Sequence, residues 1–202
     1  MQSKVLSKQT LLLTVVLSGL ILSVALLLYF IPKSSFQGGS ASVIENTVAL
    51  QKQTGVELPV RLKIPSINVD ALVEYVGLTS DGAMDVPKGP DNVAWFNLGP
   101  RPGENGSAVI AGHYGWKNNI PAVFDNLHKL RKGDKIYIED EKGAKTVFVV
   151  REIQIYDKNV DASLVFGSSD GKAHLNLITC TGVWNKAEKT RSDRLIVFTD
   201  KE

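Results

Sequence analysis

The feature that most limits how this chain folds is an apolar run over residues 11–31. The run has no charged side chain, is built mostly of Leu, Val and Ile, and is close to the ~20 residues that a helix needs to cross ~30 Å of hydrocarbon. Lys4 and Lys8 precede it without any acidic residue. By the positive-inside tendency, residues 1–10 are therefore predicted to be cytoplasmic, residues 11–31 to form a single-pass transmembrane anchor, and the rest of the chain to be extracellular.

A cleavable secretory signal peptide is the alternative interpretation of this run. Its apolar core would span only ~7–15 residues and would end at a small-residue cleavage site. The run is longer than that, and the small-residue stretch Ser23-Val24-Ala25 lies in its middle. An uncleaved anchor in the cell membrane is therefore favoured.

The region after the anchor changes composition twice. Residues 32–58 are rich in Ser, Gly and Gln and hold few large apolar side chains, which predicts an extracellular linker. Residues 59–202 are long enough for one domain with a single hydrophobic core.

The charge of the outer part argues against a nucleic-acid partner. Residues 1–33 hold three of the 23 basic side chains and none of the 21 acidic ones, which leaves 20 basic against 21 acidic groups beyond them. A nucleic-acid binder usually carries a basic stripe that displaces counterions from phosphates. The one short basic group, Lys129 with Arg131 and Lys132, is typical of a solvated turn.

The domain consists of short apolar segments separated by Gly, Pro, Asn and Asp, which predicts an all-β sandwich or barrel. The eight predicted strands cover residues 60–64, 71–76, 93–96, 108–111, 135–139, 146–156, 175–179 and 194–199. The stretch Asp140 to Ala144 is typical of a hairpin turn. One or two short helices are expected, the clearest starting at Pro121, where Val123, Phe124, Leu127 and Leu130 recur at helical spacing before Gly133.

Cys180 is the single cysteine of the chain and follows the apolar run Leu175 to Thr179. An extracellular protein with one cysteine has no internal disulfide to form with it, and an exposed thiol outside the cell is prone to oxidation. A buried structural thiol is the bland alternative. A thiol at the end of a strand also suits a nucleophile for acyl transfer, which reacts as the thiolate.

Two further residues have the chemistry that such a nucleophile needs. His113 ends the apolar stretch Val109 to Gly112, where its ring is expected to emerge at a strand end as a general acid or base. Arg194 leads into Leu195-Ile196-Val197, so a strand is expected to hold its guanidinium where it stabilises an oxyanion. Arg191 is the competing cation, but its polar surroundings predict a mobile side chain.

The substrate contacts and the remaining histidines are less distinctive. Thr179 is either a strand-packing residue or a substrate contact, since its side chain alternates with that of Cys180. The connection from Asp157 to Lys172 is long and holds apolar residues that are expected to line a peptide groove, namely Val160, Leu164 and Val165. His128 and His174 are each expected to be satisfied by one hydrogen bond. With three histidines and one cysteine, no metal site and no cofactor are predicted.

These residues resemble the sortases, membrane-anchored cysteine transpeptidases of Gram-positive cell envelopes. Ile178-Thr179-Cys180 is similar to the end of the family's TLxTC motif, although Asn176 replaces its first Thr. Val109 to His113 resembles the strand that ends in the catalytic His, and Arg194 stands where the family's Arg begins the last strand. The likeness covers about 59–199 and implies a closed eight-stranded barrel with His113, Cys180 and Arg194 as its catalytic residues.

The subclass that the domain resembles is class F or class D. The segments that carry this likeness are Val93-Ala94-Trp95-Phe96 and Pro121-Ala122-Val123-Phe124. Both segments lie within a compact domain, as expected for these two classes.

The resemblance further implies a reaction and its partners. Cys180 would attack the Thr carbonyl of an LPxTG-like sorting signal on a surface protein, and an amine of a peptidoglycan precursor or a pilin would resolve the thioester. Two alternatives stay open. One is another extracellular cysteine peptidase or peptidoglycan hydrolase, although the chain lacks the Cys-before-His order of papain-like enzymes and the Ser-His-Gly-Cys cluster of L,D-transpeptidases. The other is a non-catalytic extracellular barrel that binds a partner.

Overall fold

The structure is a computed structural model that describes residues 55–161 and 163–202. The predicted cytoplasmic segment 1–10, the anchor 11–31 and the linker up to residue 54 lie outside the described residues. Within the described part, none of the helices has the length and apolar character needed to cross a bilayer. Leu58, at the end of the predicted linker, already packs against the core.

Eight strands form the domain, and each overlaps one of the predicted strands. They are β1 (Pro59–Ile64), β2 (Val69–Val76), β3 (Val93–Phe96), β4 (Gly106–Gly112), β5 (Lys135–Asp140), β6 (Lys145–Asp157), β7 (Ala173–Asn185) and β8 (Thr190–Lys201). The predicted Asp140 to Ala144 turn joins β5 to β6 as an antiparallel hairpin. The Asp140 carboxylate accepts the backbone N–H groups of Lys142 and Ala144 in this turn.

The strands close into a barrel in the order β1-β2-β3-β4-β7-β8-β6-β5. The β2–β3 and β4–β7 pairs are parallel, and the other neighbours are antiparallel. The prediction of a closed eight-stranded all-β barrel is therefore confirmed. The parallel β4–β7 pair matters most for function, because it brings two strand ends to one edge of the barrel.

Side-chain alternation separates the barrel interior from a smaller outer cluster. Ile110 and Val197 belong to the large interior core, which also contains Leu62, Phe124 and Phe148. Their neighbours along the strands point the other way. The outer cluster contains Val109 of β4, Ile196 and Phe198 of β8, and Val165, with Ile178 of β7 packed against it.

Helical structure is more fragmented than predicted, because the described residues hold four single-turn segments instead of one or two helices. These are the 3₁₀ turns η1 (Pro65–Ile67), η2 (Lys117–Asn119) and η3 (Leu127–Lys129), and the α-helical turn α1 (Ser163–Phe166).

The predicted helix after Pro121 is reduced to η3. Leu127 N donates to Phe124 O and Leu130 N donates to Leu127 O, at 3.1 and 3.2 Å. Both bonds span three residues, which is the 3₁₀ pattern. The side chains of Phe124, Leu127 and Leu130 are fully buried, so their spacing reflects 3₁₀ turns that pack on the core.

Candidate active site

The register of β4 and β7 places His113 and Cys180 at the same edge of the barrel. The two strands are parallel, and their last register pair is Ala111 with Ile178. His113 and Cys180 each lie two residues beyond that pair. The residues predicted to supply the imidazole and the thiol, 67 positions apart in sequence, therefore follow neighbouring strand positions.

A side-chain hydrogen bond links the two strand ends just before these residues. The Thr179 hydroxyl donates to the Gly112 carbonyl at 2.8 Å, and Thr179 is 4% exposed. Its side chain lies on the face opposite Cys180, as predicted from alternation. The structure thus gives Thr179 a strand-linking role, whereas the predicted substrate contact would need an open face.

Cys180 and Arg194 lie directly opposite each other on the antiparallel strands β7 and β8. Residues paired in this way project from the same face. That face is the outer one, because Ile178 and Ile196, two positions away on each strand, pack in the outer cluster. Cys180 is a free, partly exposed thiol, which does not fit the alternative of a sealed structural cysteine.

The Arg194 guanidinium is held by the first residues of its own strand. Nη1 donates to the carbonyls of Arg191 and Asp193 at 3.1 and 3.0 Å, and Nη2 donates to the Thr190 hydroxyl at 3.1 Å. These contacts fix the plane of the group. They use three of the five N–H donors of an arginine, so two donors are left for a developing negative charge.

Arg191 lies in a strand, whereas the sequence predicted a polar loop at this position. Arg191 lies in β8 and pairs in register with Trp184 of β7. Its Nη1 donates to the Gly182 carbonyl at 2.8 Å, and its guanidinium lies 4.7 Å from the centroid of the Tyr114 ring. A second cation is therefore fixed beside the residue that follows His113, through a cation–π contact.

The imidazole of His113 has one hydrogen-bond partner and one aromatic neighbour. Its Nε2 atom lies 2.8 Å from the Pro87 carbonyl oxygen. The Trp116 ring packs against it with centroids 4.6 Å apart and planes tilted by 59°. Sequence reasoning missed both Pro87 and Trp116. Trp116 is three residues from His113, whereas nothing in the sequence marks a backbone carbonyl 26 positions away.

The connection between β6 and β7 contributes its predicted apolar residues in two ways. Val165, in α1, is 5% exposed and packs on the outer face of the barrel. Val160 and Leu164 are 52% and 73% exposed. The predicted groove lining therefore splits into one residue that anchors the connection and two that face solvent.

A groove of about 670 Å³ lies between this connection and the barrel wall. Leu164, His174 and Asn176 are among its lining residues. Asn176 donates from Nδ2 to the Val165 carbonyl at 2.6 Å, whereas its buried Oδ1 atom has no hydrogen-bond partner among the described residues. The residue that departs from the TLxTC pattern thus fastens α1 to β7, on the same strand face as Cys180.

His174 is buried between two carboxylates, so the prediction of a histidine satisfied by one hydrogen bond is wrong for this residue. Nδ1 lies 2.8 Å from Asp200 and Nε2 lies 3.0 Å from Asp170. Each ring nitrogen therefore faces one carboxylate, one on β8 and one on the β6–β7 connection. The hydrogen bond from His174, followed by those from the Lys172 amide and Ser168, holds the pKa of Asp170 far below its usual range.

The exposed His128 side chain makes a single hydrogen bond within the described part of the chain. Its Nδ1 atom lies 3.0 Å from the Asp125 carbonyl oxygen. Over residues 55–161 and 163–202, no three His, Cys, Asp or Glu side chains are grouped so as to hold a metal ion.

The chain matches a known family in sequence and known structures in fold. Residues 62–202 match the family described as Sortase domain. The chain is similar to sortase C-1 from Actinomyces oris, with 25% identity and a TM-score of 0.57 over 78% of this chain and 81% of that chain. It is similar to a Clostridium perfringens sortase D5 transpeptidase, with 26% identity and a TM-score of 0.53 over 81% of this chain and 90% of that chain.

Sortase A from Corynebacterium diphtheriae shares the fold, with 23% identity and a TM-score of 0.55 over 81% of this chain and 70% of that chain. The comparison with curated proteins found no match. Because the family match covers most of the chain, the protein belongs to the sortase family, a family of cysteine transpeptidases that act on surface proteins.

Proposed function

We propose that this protein is a membrane-anchored sortase that joins surface proteins bearing an LPxTG-like sorting signal to an amine acceptor. The observation that supports the proposal is the strand register at one edge of the barrel. Cys180 pairs with Arg194, and His113 and Cys180 each follow the last parallel β4–β7 pair by two residues.

In the first half-reaction, the Cys180 thiolate attacks the carbonyl carbon of the Thr in the sorting signal and forms a carbon–sulfur bond. Arg194 and nearby backbone N–H groups stabilise the oxyanion of the tetrahedral intermediate. The carbon–nitrogen bond after the Thr then breaks, and His113 gives its proton to the departing amine. The product is a thioester on Cys180.

In the second half-reaction, an acceptor amine attacks the thioester while His113 takes up its proton. The carbon–sulfur bond breaks, a new amide forms and the Cys180 thiolate returns. The acceptor is an amine of a peptidoglycan precursor or a pilin Lys. The proposed groove for the signal runs along the outer face of β7 beneath the β6–β7 connection, where Val160 and Leu164 are accessible.

The proposed location is the cell membrane, with residues 11–31 as an uncleaved anchor and the barrel outside. The subclass proposed from sequence is class D or class F. Class D is supported by the similarity to the Clostridium perfringens sortase D5, of which the match covers 90%.

Trapping the acyl-enzyme tests the catalytic proposal. The full chain in detergent is incubated with a fluorescent LPxTG peptide, and intact-mass spectrometry is expected to detect an acyl adduct on Cys180. Adding an amine should release a transpeptidation product. Cys180→Ala should remove both signals and lower turnover by about 10³-fold or more, since the nucleophile is lost.

Two outcomes would contradict the proposal. Hydrolysis of muropeptides without any acyl transfer would indicate a peptidoglycan hydrolase. Peptide binding that is unchanged by Cys180→Ala, with no adduct on the wild-type protein, would indicate a non-catalytic binding barrel.

A further inference from the structure

One peptide group, the bond between Pro87 and Lys88, is hydrogen-bonded on both sides by charged or ionisable side chains. Its carbonyl oxygen lies 2.8 Å from His113 Nε2. Its N–H, the amide of Lys88, donates to Glu74 Oε2 at 3.1 Å. The C=O and N–H of a trans peptide point in opposite directions, so Glu74 and His113 face each other across this single planar unit.

The contact with Pro87 settles which nitrogen of His113 carries a proton in the neutral ring. A carbonyl oxygen only accepts hydrogen bonds, so Nε2 must be the donor. The neutral ring is then the Nε2–H tautomer, and Nδ1 is the nitrogen left to exchange protons. A histidine that serves as general acid and base needs its tautomer and orientation fixed in this way.

Glu74 is placed to hold this peptide firmly. It lies in β2 beside Ala94 of β3, with which it pairs in register. Its second oxygen, Oε1, accepts from Asn92 Nδ2 at 3.0 Å. The carboxylate thus ties residues 88 and 92 to the barrel, while Pro87 is buried and Glu74 is half-buried.

Glu74 can also influence His113 by polarising the peptide group between them. An amide N–H that donates to a carboxylate makes a charge-assisted hydrogen bond, and hydrogen bonds in a chain polarise one another. The carbonyl of the same peptide group becomes a stronger acceptor. It therefore strengthens the hydrogen bond that orients the His113 ring.

We propose that Glu74 is a positioning residue for His113 and acts through the Pro87–Lys88 peptide group. It orients the ring and keeps the Nε2–H tautomer. No proton crosses the peptide group. The inference rests on the proposed general acid and base role of His113, as far as catalysis is concerned.

Nuclear magnetic resonance of the full chain in detergent tests the positioning without any substrate. The ¹⁵N shifts of the His113 ring, assigned with His113→Ala, are expected to report the Nε2–H tautomer in the wild-type protein. Glu74→Ala should produce a mixture of tautomers. Glu74→Gln preserves the shape and removes the charge, so it should keep the tautomer but weaken the Nε2 hydrogen bond. Glu139→Gln is the matched control, a strand glutamate whose ion-pair partner is Lys63.

Kinetics test the consequence for acyl transfer from the fluorescent LPxTG peptide. Glu74→Ala is expected to lower kcat by about 10-fold with little change in KM, a part of the ~10²–10⁴ that positioned acid–base catalysis supplies. Glu74→Gln should have a smaller effect on kcat, because it keeps the shape of the side chain and one acceptor oxygen. In a His113→Ala background, Glu74→Gln should change nothing further.

The two measurements separate failure of this inference from failure of the proposed function. Identical His113 ring spectra in the wild type, Glu74→Gln and Glu74→Ala would overturn the inference, whatever the activity. A wild-type protein that turns over no sorting peptide but shows the expected spectral changes would overturn the proposed function and leave the positioning role of Glu74 supported.

Discussion

Two consecutive residues at the end of β7, Thr179 and Cys180, point to opposite faces of the strand and have different roles. Thr179 points inward and links β7 to β4 through Gly112, and Cys180 points outward beside Arg194. A slip of the register by one residue would exchange these faces. The position of the Cys180 thiol depends on Thr179, because the Thr179 hydroxyl links β7 to Gly112, the residue before His113.

Replacing Arg194 by Lys is expected to lower kcat by about 10²–10³-fold, the usual cost of removing an oxyanion donor. Lysine keeps the charge but has no planar fork, so it cannot hold Arg191, Asp193 and Thr190 and still offer donors to the substrate. Single-turnover acylation of Cys180 measures the effect. Arg191→Lys is the matched control and should cost less than about 10-fold, since Arg191 stacks on Tyr114. Equal losses in the two variants would contradict the role of Arg194.

At this scale the sequence indicated the residues proposed to bear the chemistry but not those proposed to position them. Cys180, His113 and Arg194 stand out by type and by their place at strand ends. Pro87 acts through a backbone carbonyl, which every residue possesses. Glu74 carries an ordinary charge whose partner is a backbone amide 14 positions away. The contacts of Pro87 and Glu74 depend on the path of the 77–92 connection, which no local sequence pattern predicts.

Among the elements, β4 ends against the η3 region at an unusually close approach. A side chain at Gly112 would bring its Cβ closer than 3.0 Å to three ring carbons of Phe124, which is fully buried. Gly112→Ala is therefore expected to destabilise the fold by about 1–3 kcal/mol, the usual cost of overpacking a core. Denaturant unfolding of the full chain measures this loss.

The same clash should displace His113, which follows Gly112 directly, so acyl transfer should fall in Gly112→Ala beyond any loss of folded protein. Phe124→Leu in the same chain removes ring atoms and is expected to restore part of both properties. A double variant no better than Gly112→Ala would contradict the steric explanation.

Element boundaries were harder to predict than element identity. The predicted strands ended at Thr179 and began at Arg194, whereas the β7–β8 ladder continues to the pair Asn185 with Thr190. The added residues are mostly polar, and Gly182 with a φ of 78° marks a bulge. Backbone hydrogen bonds hold this extension together and do not require apolar side chains. Because the added residues lack apolar alternation, the sequence predicted a loop there and a mobile Arg191.

For the whole molecule, one polar cluster around the buried His174 ties the β6–β7 connection to the barrel. His174 of β7 lies between Asp170 of the connection and Asp200 of β8, and Arg151 of β6 pairs with Asp200 at 2.8 Å. Three strands and the groove-forming connection meet there. The cluster lies at the end of β7 remote from Cys180, so it sets the position of the connection without touching the proposed chemistry.

Acid should loosen this cluster in a way that depends on Asp170. Because its pKa is far below the unfolded value of about 3.9, its carboxylate contributes stability that is fully present above that value and is lost as the pH falls toward the folded pKa. Asp170→Asn is therefore expected to lower Tm at pH 5–7, and the difference from the wild type should shrink below about pH 4. Thermal unfolding of the full chain, followed by tryptophan fluorescence, measures it.

The matched control is Asp157→Asn, at the other end of the same connection, whose carboxylate accepts from Asn159 and has no histidine partner among the described residues. This variant should show a smaller Tm difference with little change across the same pH range. A Tm difference for Asp170→Asn that stays constant from pH 7 to pH 3 would contradict the proposed charge interaction. In that case the His174 cluster would hold the connection by shape and neutral hydrogen bonds, and the groove would keep its form in acid.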